Sequence, residues 1–292
     1  MAVCSPPFGG RERVLEEAAD RLDTEVLRLE PGDDAATLRG ALGDGSLVVD
    51  GVHHLYAHLI GGFDALDAGL QAILGADDLV VAGWNTYAWT YLSQVRGVDR
   101  TFATRATVEE TAAEDLAELM LERYEEMPAF GAEQAESGGL VALGRSEFTL
   151  GGRTLSVPVP VVNRAALSVS LDEGDVDPKD VVFERLAAVS QGNVGVATAI
   201  WDASRREELR PSDIVASGTD LDLDRVEAFC LRLVLLKERV TRSELARIVD
   251  EAERVLGRLR RADVVSVEDG EVRLEPTAVP TAVAEAERRG LQ

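Results

Sequence analysis

The sequence predicts an α/β protein whose core is a doubly wound parallel β-sheet. Residues 47–49 and 79–84 are short apolar runs rich in β-branched and aliphatic side chains, which is typical of strands buried on both faces. About one helix with its turns separates the two runs, as a right-handed βαβ crossover requires. The runs end on Asp50 and Asn85, so both side chains are expected at the carboxyl edge of the sheet, where open α/β sheets bind ligands.

The chain before this central unit alternates between strand and helix patterns. The predicted elements are, in order, a strand at 2–5, a loop at 6–10, a helix at 11–22, a strand at 25–29 and a short helix at 35–42. The helix at 11–22 places its apolar residues on one face. The crossover of the central unit is expected from about residue 52 to residue 74.

The alternation continues beyond the central unit. The predicted elements are a helix from 86 to about 95, a strand at 100–105 and a helix at 108–126. The last helix is expected to begin near Thr107, because Glu110 follows three residues later, the spacing of a capping box. This succession assigns residues 1–131 to one α/β domain.

Residues 132–218 are predicted to form a second unit of mixed character. A polar, glycine-containing segment marks its start, and one or two β-hairpins are expected over 140–162, around Gly144 and the pair Gly151-Gly152. Residues 171–180 are acidic and are expected to form a loop, and the pattern is helical from residue 181 onward.

Residues 219–292 form the third predicted unit, in which three helices precede a hairpin. The predicted helices span 223–238, 241–249 and 250–261, and the predicted strands span 264–267 and 272–274. The turn between the strands is acidic. Four apolar residues of the first helix are expected to face inward: Val226, Phe229, Leu233 and Leu236.

The composition is acidic, with a formal net charge of -23 at pH 7. Lys179 and Lys237 are the only lysines among the 30 basic residues, so the others are arginines. This acid-rich, lysine-poor composition resembles that of haloarchaeal cytosolic proteins, in which acidity is a solvation device shared by the proteome. In such a host the charge says little about partners, whereas elsewhere it would argue against nucleic acid.

Targeting signals and cysteine usage favour a cytoplasmic protein. Cys4 and Cys230 lie far apart in the chain and suit a reducing compartment as small buried hydrophobes. The N-terminus has no basic segment followed by an apolar one, so no signal peptide is predicted. No run approaches the ~20 apolar residues of a membrane span, so no membrane contact is expected.

A loop rich in proline and glycine, Ser-Pro-Pro-Phe-Gly-Gly-Arg-Glu at 5–12, joins the first strand to the first helix. Together with Asp50 and Asn85 at later strand ends, it resembles a P-loop ATPase of the AAA+/STAND group. There the three positions are the Walker A loop, the Walker B aspartate and the sensor-1 residue. The resemblance covers about residues 1–126 by element order.

The resemblance implies that ATP or ADP binds with Mg²⁺. The residues that would contact the nucleotide are Gly9, Gly10, Arg11, Asp50 and Asn85, and Asp50 would also orient the metal. Without the resemblance, the loop is an ordinary turn that leads into a helix, and Asp50 and Asn85 cap the helices that follow them.

The motifs depart from those of active family members. A working P-loop, G-x-x-x-x-G-K-[ST], offers a lysine to the β- and γ-phosphates and a hydroxyl to Mg²⁺. Here Arg11 replaces the lysine and Glu12 the hydroxyl, although a carboxylate about 4 Å from a phosphate oxygen is repelled by roughly 4 kcal/mol. Gly51 replaces the carboxylate that polarises the attacking water, which removes a contribution of roughly 10²–10⁴-fold. Gly195 stands where the helical lid of active members carries the sensor-2 arginine.

The third unit resembles a winged helix-turn-helix. Arg254, Arg258 and Arg261 share one face of its third helix, where such a stripe meets DNA phosphates in the major groove. Glu251 and Glu253 dilute the stripe, so a protein contact or an intramolecular contact is the favoured interpretation and DNA binding the alternative.

Two further clusters stand out. His54 and His58 are spaced as i and i+4, so a metal site beside His53 is one hypothesis and a polar-aromatic helix surface is the simpler one. The aromatic residues between 84 and 91 are predicted to pack in the core, with a base-stacking surface as the alternative.

These patterns predict a degenerate P-loop ATPase-like protein with a regulatory or adaptor role, weak or absent hydrolysis and a protein partner. Two alternatives remain open. One is an active ATPase that uses Arg11 in place of lysine, and the other is a transcriptional regulator that binds DNA through its C-terminal unit.

Overall fold

A five-stranded parallel sheet forms the centre of the computed structural model, which describes residues 1–43, 45–132, 141–150, 153–162 and 177–289. The strands are β1 (Ala2–Ser5), β2 (Val26–Arg28), β3 (Leu47–Asp50), β4 (Val80–Asn85) and β5 (Arg105–Thr107). The spatial order is β2-β3-β4-β1-β5, and every recorded pairing is parallel. The predicted α/β class with a parallel sheet is confirmed.

Helices on both sides of the sheet connect its strands. They are α1 (Arg11–Leu22), α2 (Ala35–Ala41), α3 (Asp64–Leu74) and α4 (Thr86–Arg96), and a further helix, α5 (Ala113–Arg123), follows the last strand. Short 3-10 helices at Val52–Leu55 and Val98–Thr101 precede α3 and β5. Two cores flank the sheet, a larger one that includes Trp84 and Leu92, and a smaller one beneath α1 that includes Leu15.

The predicted crossover at 52–74 is not one helix. Its first part is the 3-10 helix, and α3 begins only at Asp64. Between them, the amide of Ala57 donates to the carbonyl of Gly62 at 2.7 Å, and Gly61 has a φ of +74°. A residue in the left-handed region stops a helix, so the two glycines turn this segment into a loop.

The prediction for residues 100–126 was wrong in its boundaries. Residues 98–101 form a 3-10 helix, and β5 extends through Thr107, which pairs with Cys4. Thr107 therefore caps no helix. The amide of Thr111 donates to the carbonyl of Gly192 at 2.8 Å, which keeps the chain extended until α5 begins at Ala113.

A second group of elements follows the sheet. It contains β6 (Ala129–Phe130), the hairpin strands β7 (Val141–Leu150) and β8 (Arg153–Val162), α6 (Pro178–Ser190), α7 (Val194–Ser204) and β9 (Glu208–Leu209). The hairpin predicted over 140–162 is one antiparallel pair. Gly144 lies within β7 opposite Val159 and does not make a turn. The predicted boundary segment lies almost wholly outside the described residues.

The C-terminal unit consists of four helices and a three-stranded antiparallel sheet. Its elements are α8 (Arg225–Lys237), β10 (Arg239–Thr241), α9 (Arg242–Ile248), α10 (Ala252–Arg261), β11 (Val265–Glu268), β12 (Glu271–Leu274) and α11 (Val279–Arg288). Helix α8 is buried on almost all sides. Val226, which was expected to face inward, is exposed, because the adjacent N-terminal turn of α8 lies at the surface.

One apolar core joins this unit to helices α5, α6 and α7. Leu236 near the end of α8 belongs instead to the larger core of the parallel sheet. The last turn of α8 therefore reaches the sheet. No helix in the described ranges combines the length and the apolar character needed to cross a bilayer.

Candidate functional site

The order of the strands places a crevice between the carboxyl ends of β1 and β4. The connection after β1 runs to the far side of the sheet at β2, whereas the connection after β4 runs the other way to β5. Adjacent strands whose connections diverge leave a crevice at their carboxyl ends, and ligands of open α/β sheets bind there. Ser5 and Asn85 are paired at this point, so the sequence-predicted residues do converge on one place.

The loop after β1 is compact and poor in hydrogen-bond donors. Ser5 Oγ and the amide of Gly9 both donate to the carbonyl of Pro6, at 2.8 and 3.0 Å. Pro6 and Pro7 have no N–H, so two of the amides with which a phosphate cradle could be built are missing. A Cβ at Gly9 would overlap Ser5 Oγ, so this glycine serves the tightness of the loop.

The start of α7 covers the same loop. Asn193 caps α7 and its Nδ2 donates to the carbonyl of Pro7 at 2.7 Å. Gly195 lies against Phe8, where a Cβ would overlap the Phe8 carbonyl oxygen. A larger residue at position 195 would therefore clash with the backbone of the loop.

Arg11 is the centre of the site. It lies in the first turn of α1, and its side chain is 8% exposed. Its Nε donates to Asp50 Oδ1 at 2.7 Å, and its two terminal nitrogens donate to the carboxylate of Glu238 at 2.9 and 3.1 Å. Burial by itself would lower the pKa of Arg11, but attraction to Glu238 and Asp50 outweighs it and raises the pKa. All three guanidinium nitrogens of Arg11 therefore donate to carboxylates.

Glu238 is a site residue that the sequence prediction missed. It follows α8 directly, 227 residues after Arg11, with a φ of +60° and a ψ of −44°. Such a backbone conformation is strained for a residue with a side chain, and strain persists where the surroundings enforce it. Burial would raise the pKa of Glu238, but the charge of Arg11 and its hydrogen bonds lower it. The positive φ could not be found by periodicity analysis.

Asp50 lies at the end of β3 and is 8% exposed. Its Oδ1 accepts from Arg11 and, at 2.7 Å, from the amide of Gly51. Gly83 in β4 makes room for the pair, since a Cβ there would overlap Asp50 Oδ1 and lie 2.6 Å from Leu15. Gly83 was also missed, although a glycine within an apolar strand indicates a close approach.

Asn85 links the sheet to the C-terminal unit. Its Oδ1 accepts from the amides of Tyr87 and Ala88 at 2.8 and 3.3 Å, so it caps α4. Its Nδ2 donates to the carbonyl of Leu235 at 2.8 Å, and the residue is fully buried. The predicted strand-end position is correct, and both ends of the amide are used within the protein.

Two basic residues beside Glu238 extend this contact. Lys237 is almost fully buried, and its Nζ donates to the carbonyl of Tyr56 and to Glu244 Oε1, both at 2.7 Å. Its ammonium also lies 5.3 Å from the centre of the Tyr56 ring. Arg239 reaches Glu30 at 3.4 Å. Five consecutive residues, 235–239, thus contact the α/β unit, and we refer to them as the docking segment.

The three histidines lie next to the docking segment and do not form the hypothesised metal site. His53 and His54 belong to the 3-10 helix and are buried, whereas His58 is half-buried in the following loop. The end of the 3-10 helix at Leu55 breaks the i, i+4 relation that was expected of His54 and His58. Within the described ranges, no group of three His, Cys, Asp or Glu side chains could hold a metal ion.

The predicted arginine stripe on α10 is largely paired within the C-terminal unit. Arg254 and Arg258 both reach Glu227, a fully buried residue of α8, at 3.3 and 2.5 Å. Arg254 also pairs with Glu251 at 2.5 Å, and Arg258 donates to the carbonyl of Asp222 at 2.6 Å. Arg261 is exposed. The carboxylates reduce the positive charge that this face could offer to phosphates.

The two tryptophans of the aromatic cluster pack in the core as predicted, whereas Tyr87 and Tyr91 are partly buried at its edge. Trp84 and Trp89 are buried, and their rings meet edge to face with centroids 5.5 Å apart. Phe102 contacts both indoles. Neither tryptophan offers a flat exposed face to a base.

The residues present do not fit a nucleotide with Mg²⁺. Asp50 is held by the Arg11 guanidinium, and the guanidinium itself is shared with Glu238. Glu12 adds an exposed carboxylate in the first turn of α1. A phosphate group would have to displace Glu238 and accept a loop that lacks the N–H groups of Pro6 and Pro7.

Comparisons with known proteins yield structural likeness only. No protein-family model matches the sequence. No curated protein matches it. A RuvB Holliday junction branch migration motor from Thermotoga maritima is similar in structure, with 14% identity, 94% of this chain and 83% of that chain covered, and a TM-score of 0.35.

Two other solved structures are similar to the same degree. The ORC2 protein of Aeropyrum pernix, solved in ADPNP–ADP complexes, covers 100% of this chain and 88% of its own at 11% identity and a TM-score of 0.35. A katanin structure concerned with self-assembly covers 70% of this chain and 61% of its own at 12% identity and a TM-score of 0.35. Likeness at this level carries no argument about the site.

Proposed function

We propose that this chain is a regulatory or adaptor protein built on a P-loop ATPase-like α/β unit of the AAA+/STAND type. In it the phosphate-binding positions hold the C-terminal unit instead of a nucleotide. One observation carries the proposal: Arg11, at the position of the P-loop lysine, is bound by Asp50 on one side and by Glu238 on the other.

The energetics of the pair support a structural use of these residues. Replacing one partner of a buried ion pair typically costs about 3–5 kcal/mol, because the other charge remains in the interior unpaired. A nucleotide would have to supply at least comparable interactions to separate Arg11 from its two carboxylates. Hydrolysis also lacks a base, since Gly51 follows Asp50 and packs against the Leu29 carbonyl, which leaves no space for a side chain.

The remaining assignments follow from this proposal. Residues 1–131 are the ATPase-like domain, 132–218 a helical lid with a β-hairpin insertion, and 219–292 a winged helix-turn-helix. The pairing of Arg254 and Arg258 with Glu227 favours a protein or intramolecular contact of the winged helix over a DNA contact. The acidic, lysine-poor composition supports a haloarchaeal, cytoplasmic protein. The protein partner is proposed from the paired arginines of the winged helix and not from the charge of the chain.

Nucleotide binding tests the proposal directly. Isothermal titration calorimetry with ATP and ADP, each with Mg²⁺ in molar KCl, is expected to show no binding to the wild type. Asp50→Ala and Glu238→Ala are measured beside it, and Glu17→Ala on the exposed face of α1 controls for the loss of one carboxylate.

The pattern across the variants separates the candidate functions. Micromolar binding by the wild type that Asp50→Ala abolishes would overturn the proposal and favour the ATPase that uses Arg11. Binding that appears only in Glu238→Ala would support a phosphate position blocked by the docking segment. Absence of binding in all four proteins would support a site converted wholly to structure.

A further inference from the structure

All three histidines of the chain lie where the docking segment contacts the α/β unit. His53 and His54 are buried, and their ring centroids lie 4.6 Å apart. His58 stacks on Tyr91 at 5.3 Å and meets Phe229 of α8 edge to face at 5.6 Å. Histidine is the side chain whose ordinary pKa places its change of charge between pH 5 and 8, and every histidine of the chain lies at this contact.

The buried imidazoles have unused nitrogens. His53 Nδ1 accepts from the amide of Asn85 at 3.4 Å, and His53 Nε2 has no partner within the described residues. His54 Nδ1 likewise has none there. Both protons of an imidazolium would need acceptors, and in the part of the chain that the structure describes these two nitrogens have none.

The charges around the pair are mostly positive. Arg11 of α1, Lys237 of the docking segment and Arg239 of β10 act on His53. Lys237, Glu238 and Arg239 act on His54, where Glu238 is the one charge that favours protonation, and Glu238 is itself bound to Arg11. Asp50 and Glu244 are likewise held by Arg11 and Lys237, so each of the three carboxylates named here already has a cationic partner.

We infer that His53 and His54 form a proton-sensitive latch, in which the docking segment stays on the sheet while both imidazoles are neutral and is released when they are protonated. The inference deepens the proposed function and rests on it for the docked state, since that state fills the former phosphate position. Its ligand is the proton. Acidification would free the docking segment to meet a partner, while the apolar core shared with α5, α6 and α7 still holds the rest of the C-terminal unit.

The direction of the effect follows from linkage. Burial, followed by the neighbouring cations, holds the pKa of His53 well below its ordinary 6.5, and burial does the same for His54. In the undocked state both are expected near 6.5. Docking is therefore fully favoured above pH 6.5 and weakens as the pH falls below it. Each histidine changes the ratio of docked to undocked protein by up to about tenfold per pH unit, and both together by about a hundredfold.

Hydrogen–deuterium exchange of α8 and the docking segment, corrected for intrinsic exchange rates, tests the latch between pH 7 and pH 5 in molar KCl. Small-angle X-ray scattering on the same samples reports whether the whole molecule expands. The wild type is expected to lose protection across residues 235–239 below pH 6.5 while β1, β3 and β4 stay protected. Global unfolding would lower protection in the sheet as well and would count against the latch.

Substitutions of the histidines show which of them cause the loss of protection. His53→Asn/His54→Asn, which cannot be protonated, is expected to keep its protection at pH 5, whereas His58→Asn, which alters only the half-buried histidine, follows the wild type. A flat wild-type profile, or a loss of protection that persists in the double variant, would overturn the inference. If the double variant misfolds, the wild-type and His58→Asn profiles still decide. Nucleotide binding is a separate readout, so the proposed function can fail while the latch stands, or the reverse.

Discussion

The side-chain amide of Asn85 donates a hydrogen bond to the backbone carbonyl of Leu235, 2.8 Å away and 150 residues later in the chain. The oxygen of the same amide caps α4. The Asn85 side chain therefore caps α4 with its oxygen and binds Leu235 with its nitrogen, and a substitution can remove the second bond while it keeps the first. Asp offers the same capping oxygen as Asn but has no N–H to donate.

Asn85→Asp is expected to destabilise the protein by about 1–3 kcal/mol or more, because the Leu235 carbonyl loses its donor and a buried carboxylate faces it. Chemical denaturation in molar KCl measures the change. Asp34→Asn makes the reverse exchange at the exposed N-cap of α2 and is expected to be nearly neutral. Equal effects of the two exchanges would mean that the bond to Leu235 contributes nothing.

Arg11→Lys restores the residue of a working P-loop but is expected to weaken this protein. An ammonium cannot reach Asp50 and both oxygens of Glu238 with the geometry of the guanidinium fork. We expect a loss of about 1–3 kcal/mol in the free energy of unfolding and no ATP turnover. A variant as stable as the wild type that hydrolyses ATP would contradict both the role of Arg11 and the proposed function.

Gly83→Ala is expected to cost about 1–3 kcal/mol, because the new methyl group would overlap Asp50 Oδ1 and crowd Leu15. Gly40→Ala in α2 is the matched control. No atom lies within 4 Å of a Cβ at Gly40, so the alanine is expected to be neutral or to stabilise by up to about 1 kcal/mol. Thermal denaturation of the two variants in the same buffer compares them. Equal melting temperatures for Gly83→Ala and Gly40→Ala would mean that β4 can accommodate a methyl group at residue 83, contrary to this expectation.

The lowered pKa of Glu238 predicts a loss of folding stability at a lower pH than the proposed release of the docking segment. Its pKa is lowered in the folded protein, chiefly by Arg11 against the opposing effect of burial, so it takes up protons more readily when unfolded. Its contribution to stability is fully present above its ordinary value of about 4.5 and is lost as the pH falls through the folded value. Unfolding free energies from pH 6 to pH 3 should therefore fall more steeply in the wild type than in Glu238→Gln. Glu12→Gln, at an exposed position of α1, should follow the wild-type slope.

Arg254→Ala and Arg258→Ala are expected to lower the melting temperature, since both side chains pair with the buried Glu227. Arg261→Ala, at an exposed position of the same helix, is expected to leave it unchanged. Fluorescence anisotropy with duplex DNA at several salt concentrations completes the comparison. A parallel loss of affinity and of salt dependence in all three variants, without a change in melting temperature, would favour the DNA-binding alternative instead.

Local sequence patterns predicted the central sheet well. The strands that end on Asp50 and Asn85 are continuous apolar runs, and burial on both faces imposes that pattern on the chain. The segments around residues 52–63 and 98–112 were predicted poorly. Their conformations depend on Gly61, on pairing with β1 and on the Thr111–Gly192 hydrogen bond, which are not encoded by periodicity.

The sequence by itself determined the α/β class, the convergence of Arg11, Asp50 and Asn85 on one edge, and the departures from a working P-loop. These follow from apolar runs that end on polar residues and from residue types at fixed short spacings. Only the tertiary structure decided what the edge holds, because Glu238 and Leu235 arrive from about 150 to 230 residues away. Whether a buried arginine meets a phosphate or a carboxylate depends on which part of the chain packs against it, and that is a property of the folded molecule.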